Sequence, residues 1–394
     1  MPSVTGYSHV LQASRTNNDS AAAEAVTEKF RVLSPKLPTQ TTTYHRDIEE
    51  SGRESDLPES APTPLSVEAA DTFPLVADDH SLAFWGYYAL HGGAASTVAQ
   101  IGTTAIYEHV VDGPGATISF RAPYCESLGK PGTSDNALNK DLVNALVERL
   151  EISGQRRGRI NLGLTLRAGY LADGGAGTTI GSFQRHKILN FGHARLITSD
   201  TLGFLGGAFA ATAFGTSAVT NAVALTRTEL PATAVNLTDH ILSFTIRVFN
   251  RVSVDESYAA GQVNGDNAGV VEHSGQWIPS VGEPFRDVEL EMALKHDGDA
   301  AGVIKGLMDE IHAGTRRAWE LWLAHQEDVG SGAFASVGCR LTLGSMHPVS
   351  VEEVPRGFGD KALRVVYRSG WDVTANKGWR YLAAVKNLSV AIGA

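Results

Sequence analysis

The sequence predicts a mainly β chain, built of β-sandwich or barrel units flanked by an α-helix and duplicated along its length. The first observation is residues 160–170, where Ile160, Leu162, Leu164 and Leu166 point one way and Asn161, Gly163, Thr165 and Arg167 the other. The second is a similar pattern farther on. There Leu242, Phe244, Ile246 and Val248, then Val288, Leu290, Met292 and Leu294, are backed by Ser243, Thr245 and Arg247 and by Asp287, Glu289 and Glu291. Each stretch reads as a strand with one packed face and one wet face. The third is order: a short alternating stretch at 116–120 precedes 160–170 as 242–248 precedes 287–294, which points to a repeated β unit.

Taken from the start, residues 1–75 are rich in Ser, Thr, Pro, Asp and Glu and are expected to form an extended N-terminal arm. Tyr7, Val10, Leu11, Phe30, Val32 and Leu33 are its apolar anchors, docking on another subunit. A helix follows, capped by Asp78 or Asp79, running through Leu82, Trp85, Tyr88 and Ala89 and stopping at Gly92-Gly93. Strands are expected at 103–111, 116–121, 147–153 and 159–171, which makes 76–200 a first β domain. The Gly/Thr/Ala-rich middle, 173–234, has weak periodicity and holds an inter-domain connection at 201–235. The second β domain, 236–394, opens with strands at 241–250 and 286–295. Asp297-Gly298-Asp299 then introduces a helix from Ala300 to about Gln326, with Ile304, Leu307, Met308, Ile311, Ala318, Trp319 and Trp322 near helical spacing. Strands at 338–343, 349–354, 362–371 and 379–388 close the chain.

Composition narrows the function. A chain of 394 residues, 43% hydrophobic and 19% charged, is long enough for two cores. Of its net charge of −10, the first 80 residues carry seven negative charges, from 13 acids against 6 bases. An acidic protein without a basic stripe does not grip a nucleic acid backbone, although it can surround one. Cys125 and Cys339 sit in no ligand cluster and read as small buried hydrophobes. The N-terminal stretch MPSVTGYSHVLQASRTNND has neither a basic start nor an apolar core, and the apolar run at 202–223 is diluted by Gly, Thr and Ser. Synthesis in a reducing cytoplasm without membrane insertion is the expectation.

Chemical motifs are weak. Gly175, Gly177 and Gly181 lack dinucleotide-loop spacing and read as a flexible loop. His91-Gly92-Gly93 has the form of an esterase oxyanion loop, but no GxSxG elbow accompanies it. There is no HExxH and no P-loop, and His186 and His193, seven apart, read as ordinary histidines. Asp287, Glu289 and Glu291 have the period of one strand face rather than of a catalytic pair. Trp319 and Trp322 read as helix core rather than as a stacking platform. Neither an enzymatic centre nor a cofactor or metal is expected.

With these elements placed, the chain resembles the tail tube proteins of long-tailed bacteriophages. The stretches YYALHGGAASTVAQIGTTAIYEHVV and GPGATISFRAP look like that family's helix-then-strand entry, and LEISGQRRGRINLGLTLRAGYL is similar to its paired inner strands. LSFTIRVFNRVSVDESYAAG, CRLTLGSMHPVSVEEVPRGFGDKALRVVYRSGWD and LAAVKN are similar to its middle and closing strands. The resemblance implies a sandwich of two β-sheets with a flanking helix, stacked head to tail in rings of six tube domains around a lumen that passes genomic DNA. It also implies a virion location after assembly in the host cytoplasm, with the chain itself and other tail proteins as partners.

On that basis the wet faces line the bore. Asp287, Glu289 and Glu291 are lumen-facing, with Asn161 and Thr165 on the equivalent strand, and the wall is acidic to neutral so that DNA slides without adhering. Duplication implies three chains per ring with approximate sixfold symmetry; one tube domain with an elaborate insertion implies six. A tail terminator or capsid-decorating protein, or a cell-wall glycoside hydrolase with two carboxylates across a cleft, are the competing functions.

Overall fold

The computed structural model describes residues 9–17, 26–34, 38–45, 63–90, 95–101, 103, 105–112, 123–129, 138–143, 145–168, 170–173, 186–202, 234–250, 286–295, 302–330, 333–355, 361–370 and 378–393. Strands β1 (Val10–Asn17), β2 (Glu28–Arg31), β3 (Thr39–His45) and β4 (Thr63–Val76) lead into helix α1 (Asp79–Leu90). Next come β5 (Thr97–Gln100), β6 (Ile106–Asp112), β7 (Pro123–Leu128), β8 (Asn139–Val143), β9 (Leu146–Gln155), β10 (Ile160–Ala168) and β11 (Tyr170–Asp173). β12 (Ala194–Ser199), β13 (Val235–Asn236), β14 (Ile241–Asn250) and β15 (Arg286–Lys295) precede helix α2 (Val303–His312). β16 (Arg317–Gly330), β17 (Ala333–Pro355), β18 (Lys361–Ser369) and β19 (Arg380–Lys386) follow it. The fold is mainly β, as the alternation predicts.

The smaller sheet has the order β11-β8-β7-β1-β2. The larger runs β13-β12-β16-β17-β18-β15-β14-β9-β10-β4-β3, with β19 on β17, β6 on β19 and β5 on β6. β17 belongs to two parts of it: residues 338–342 pair with both β16 and β19, whereas 346–355 pair with β18. Within the second part the register on β18 shifts between Pro348 and Ser350, a local irregularity of the ladder.

Helix α1 fills the space between these parts, packing on β19, β17 and β6 and also on β9 and β14. All twelve of its residues are buried, so it is a core helix rather than the flanking one expected. Asp78 caps it: its Oδ1 accepts the Ser81 N–H at 2.7 Å, and Ser81 Oγ accepts the Asp78 N–H at 3.0 Å. The Tyr381 hydroxyl donates to the Leu82 carbonyl at 2.7 Å, and Trp379 donates to the Leu90 carbonyl at 3.1 Å. Gly86 is required because a Cβ there would lie 2.4 Å from the Tyr381 ring. Burying side chains such as Leu82 and Phe84 contributes about 1.5–3 kcal/mol each.

Three expectations are corrected. Helix α2 ends at His312, and residues 317–330 are strand. Gly314, at φ 69°, closes α2 with bonds from the Gly314 N–H to Ile311 O and from the Thr315 N–H to Glu310 O. Beyond it both faces of residues 318–323 are buried, so apolar residues occupy both faces with only Glu320 between them, and strand and helix look alike. Trp319 and Trp322 consequently stand on opposite faces, Trp319 in the main core and Trp322 in a second cluster with Ile106, Val337 and Leu382.

The described parts of 1–75 are not an arm reaching outward but strands of this chain's own sheets. β1 lies between β2 and β7, β4 lies between β3 and β10, and Leu11 and Phe30 belong to the main core. Backbone pairing along these strands offsets the ordering entropy that their sparse apolar residues alone do not cover.

The segments 76–200 and 236–394 also share one sheet, because β9 pairs directly with β14 and a single core takes residues from both. The counterpart strands β10 and β15 flank that pair in the order β10-β9-β14-β15. The stretch 116–120 and most of the connection at 201–235 lie outside the described residues. β12, inside the stretch read as irregular, pairs with β16.

Candidate functional site

Among the described residues, β10, β9, β14, β15 and β18 share a broad outer face. Beneath it, Leu162, Leu164, Leu150, Ile152, Phe244, Ile246, Leu290, Met292 and Val365 are buried, so alternation alone sends the intervening residues outward. Antiparallel register then lines them up in rows. One row reads Gly163, Glu151, Arg247, Glu289, Arg368, and the next reads Asn161, Ser153, Thr245, Glu291, Val366. The first alternates in charge from strand to strand, the arrangement cross-strand pairing favours.

Arg247 is the hub. Its Nη1 donates to Glu289 at 2.7 Å and to Glu291 at 2.8 Å, and its Nε lies 3.5 Å from Glu151. Arg364 meets the other oxygen of Glu291 at 2.6 Å, Arg368 meets Asp287 at 2.9 Å, Arg149 meets Glu151 at 2.5 Å, and Arg167 meets Glu148 at 2.7 Å. With Glu352 of β17, 3.8 Å from Arg364, five arginines meet six carboxylates, so the face is close to balanced. Partial burial acts against both charged forms, yet the hydrogen bonds outweigh it: the pKa of Arg247 is raised and that of Glu291 lowered. Arg149 also lies over the Phe249 ring, 5.2 Å from its centre.

The residues expected to face a bore divide accordingly. Asn161, Thr165, Glu289 and Glu291 all stand on this face, with Thr165 bonded to Thr72 of β4 at 3.0 Å. Asp287 shares the face of Glu289 and Glu291 but is only 8% exposed, with Arg368 2.9 Å from its carboxylate. The acids are not a bare negative row either, because each has an arginine partner. Arg247 was legible from its place opposite Phe244 and Ile246; Arg364 and Arg368 were not, since only strand pairing brings β18 beside β15.

Two buried polar clusters were not foreseen. In one, Glu28 accepts from Arg15 Nε at 2.7 Å and lies 2.5 Å from His80 Nε2, while His80 stacks between Phe30 and His186 at 5.2 and 4.8 Å. His186 pairs with Asp79 at 3.3 Å, and a cavity of about 110 Å³ borders the group. Burial opposes the Glu28 charge, but His80 and Arg15 outweigh it and hold its carboxyl down at about 2. In the other, Tyr124, Glu126 and Asp141 converge on the smaller sheet. His193 packs against His325 rather than His186. Cys125 and Cys339 are buried free thiols. His91-Gly92-Gly93 and the glycines at 175–181 lie outside the described residues.

Among the described residues no group of three or more His, Cys, Asp or Glu is placed to hold a metal ion. No described helix is long and apolar enough to cross a membrane. No protein-family model matches the chain, and no curated protein is similar to it.

Proposed function

We propose that this chain is a structural virion protein, a tail tube subunit that stacks in rings to form a conduit for genomic DNA. The observation that carries the reading is the broad outer face of β10-β9-β14-β15-β18, dry beneath and close to charge-balanced above. A wall whose arginines are already engaged by carboxylates offers a polyanion neither a strong grip nor a strong barrier, which suits passage without adhesion. The open strand edges that a sheet must cover would be paired by neighbouring copies around the ring. Direct pairing of β9 with β14 makes one continuous wall segment per chain, which favours a ring of six chains over a ring of three. The virion tail, reached after assembly in the host cytoplasm, is the corresponding location.

Negative-stain electron microscopy of the purified full chain tests this. Long hollow tubes with six identical chains in cross-section are expected. Single rings or caps would point instead to a terminator or decorating protein. Uniform globules that clear a cell-wall suspension would replace the conduit with a hydrolase.

A further inference from the structure

The seam between the smaller sheet and helix α1 is built around two stacked imidazoles. β2 stands at the edge of that sheet, and its Phe30 packs against Phe84 and Trp85 of α1 with ring centres 5.0 and 5.1 Å apart. His80, in the first turn of α1, stacks on Phe30 and also on the ring of His186, 4.8 Å away and only 15° from parallel. Each imidazole has its own carboxylate. His80 Nε2 meets Glu28 of β2 at 2.5 Å, and His186 Nδ1 stands 3.3 and 3.4 Å from the two oxygens of Asp79. Both acids are withdrawn from water, with side chains 5% and 2% exposed. Backbone bonds fasten either side of the seam: the Leu33 N–H donates to the Pro74 carbonyl at 2.7 Å, and the Leu189 N–H to the Ala77 carbonyl at 3.0 Å.

A buried carboxylate is stable only beside a close donor or a positive charge. Glu28 has close contacts in Arg15 and His80, but the contact of Asp79 with His186 is long and forked, so it holds well when the ring is charged. We propose that the His80–His186 stack is a proton-operated latch: a proton on His186 draws Asp79, at the start of α1, onto the segment before β12 and steadies β2 against the helix, and its loss loosens both. The other charged groups around the stack are Asp78 ahead of the helix, Arg15 of β1, Lys29 and Arg31 of β2 and Lys386 of β19, which border the adjoining cavity, with His109 of β6 within electrostatic reach.

The direction of the response follows from the charges. Burial opposes a charge on His186, but the hydrogen bond to Asp79 and the charges of Asp79, Asp78 and Glu28 outweigh it, so its pKa is raised. Its contribution is therefore full below the unfolded value of 6.5 and is lost as pH rises through the raised one. Glu28, held down at about 2, contributes above 4.5 and fails only as pH falls toward 2. The latch is thus closed between 4.5 and 6.5 and opens first on the alkaline side. His109, lowered to about 4, is neutral across that opening and does not drive it.

Hydrogen exchange of the full chain at pH 6 and pH 9, read by mass spectrometry and corrected for the intrinsic rate, tests the latch. Peptides covering 26–34 and 186–190 should lose protection by about threefold or more at pH 9, while those of β14 and β15 keep theirs. His186→Phe retains a flat ring for the stack but has no proton to give, so its seam should be equally protected at both pH values. Asp79→Asn leaves the helix cap with Asp78 and should shrink the loss as well. Equal protection of the wild-type seam at pH 6 and pH 9 would overturn the latch. So would a full loss persisting in His186→Phe or, should that variant fail to fold, in Asp79→Asn.

Discussion

Removing the positive charge of Arg247 while keeping its stem isolates what the charge lattice contributes. In Arg247→Met, Glu289 and Glu291 lose donors at 2.7 and 2.8 Å, and Glu151 loses a partner at 3.5 Å. The Arg247 side chain is 24% exposed and the two glutamates 18%, so the pairs lie between two known regimes. Exposed pairs contribute about 0.2–1 kcal/mol, whereas stripping a partner from a buried pair costs about 3–5 kcal/mol. Arg364 still holds Glu291, which places the expected loss at about 2 kcal/mol. For 394 residues the unfolding entropy is roughly 0.8 kcal/mol per degree, so the midpoint should fall by about 2.5 °C at pH 7.

Glu291 has a lowered pKa in the folded chain, so its stabilisation is present above the unfolded value of 4.5 and is lost as pH falls through the lowered one. The gap between wild type and variant should therefore narrow in acid. It should narrow also in 1 M salt, where the screening length is about 3 Å. Thermal unfolding followed by tryptophan fluorescence at pH 7 and pH 3, with and without salt, measures this. Coincident midpoints at pH 7, or a gap unchanged by acid and salt, would refute the electrostatic account.

Two further outcomes follow from buried groups. Gly338→Ala should be the more damaging change, lowering stability by about 3 kcal/mol or more as read by soluble yield and midpoint: the backbone there has φ 134° and a Cβ would lie 1.9 Å from the Leu323 carbonyl oxygen. Burial lowers the His109 pKa to about 4, against a hydrogen bond to the Leu388 carbonyl, so its contribution is present above 6.5 and lost as pH falls toward 4. His109→Gln should accordingly lose less midpoint than wild type between pH 7 and pH 4.5, by up to about 3 kcal/mol in equivalent stability.

Strands that pack one face and wet the other were read correctly, and the reason is visible in β14 and β15. Their apolar rows, Phe244 with Ile246 and Leu290 with Met292, alternate with residues that stay partly open, so period two is unmistakable. Where both faces are covered, as at residues 318–323 of β16, that signal vanishes and Trp319 and Trp322 mimic a helix. The N-terminal strands were missed because their pairing is carried by backbone groups, to which composition is blind. The candidate site was half legible: alternation placed Glu289, Glu291, Asn161 and Thr165, but their arginine partners come from strands distant in sequence.

The double membership of β17 has a mechanical meaning. Its first half is clamped between β16 and β19, next to the helix-bearing core, and its second half is stitched to β18, whose Arg364 and Arg368 reach the charged face. One covalent chain thus runs from the inner packing to the outer face with no hinge of loop residues between 333 and 355. A force applied at the charged face is delivered along backbone bonds to the core rather than across side-chain contacts. The two parts of the sheet should then yield together, with amides of β18 and β19 exchanging in one cooperative step.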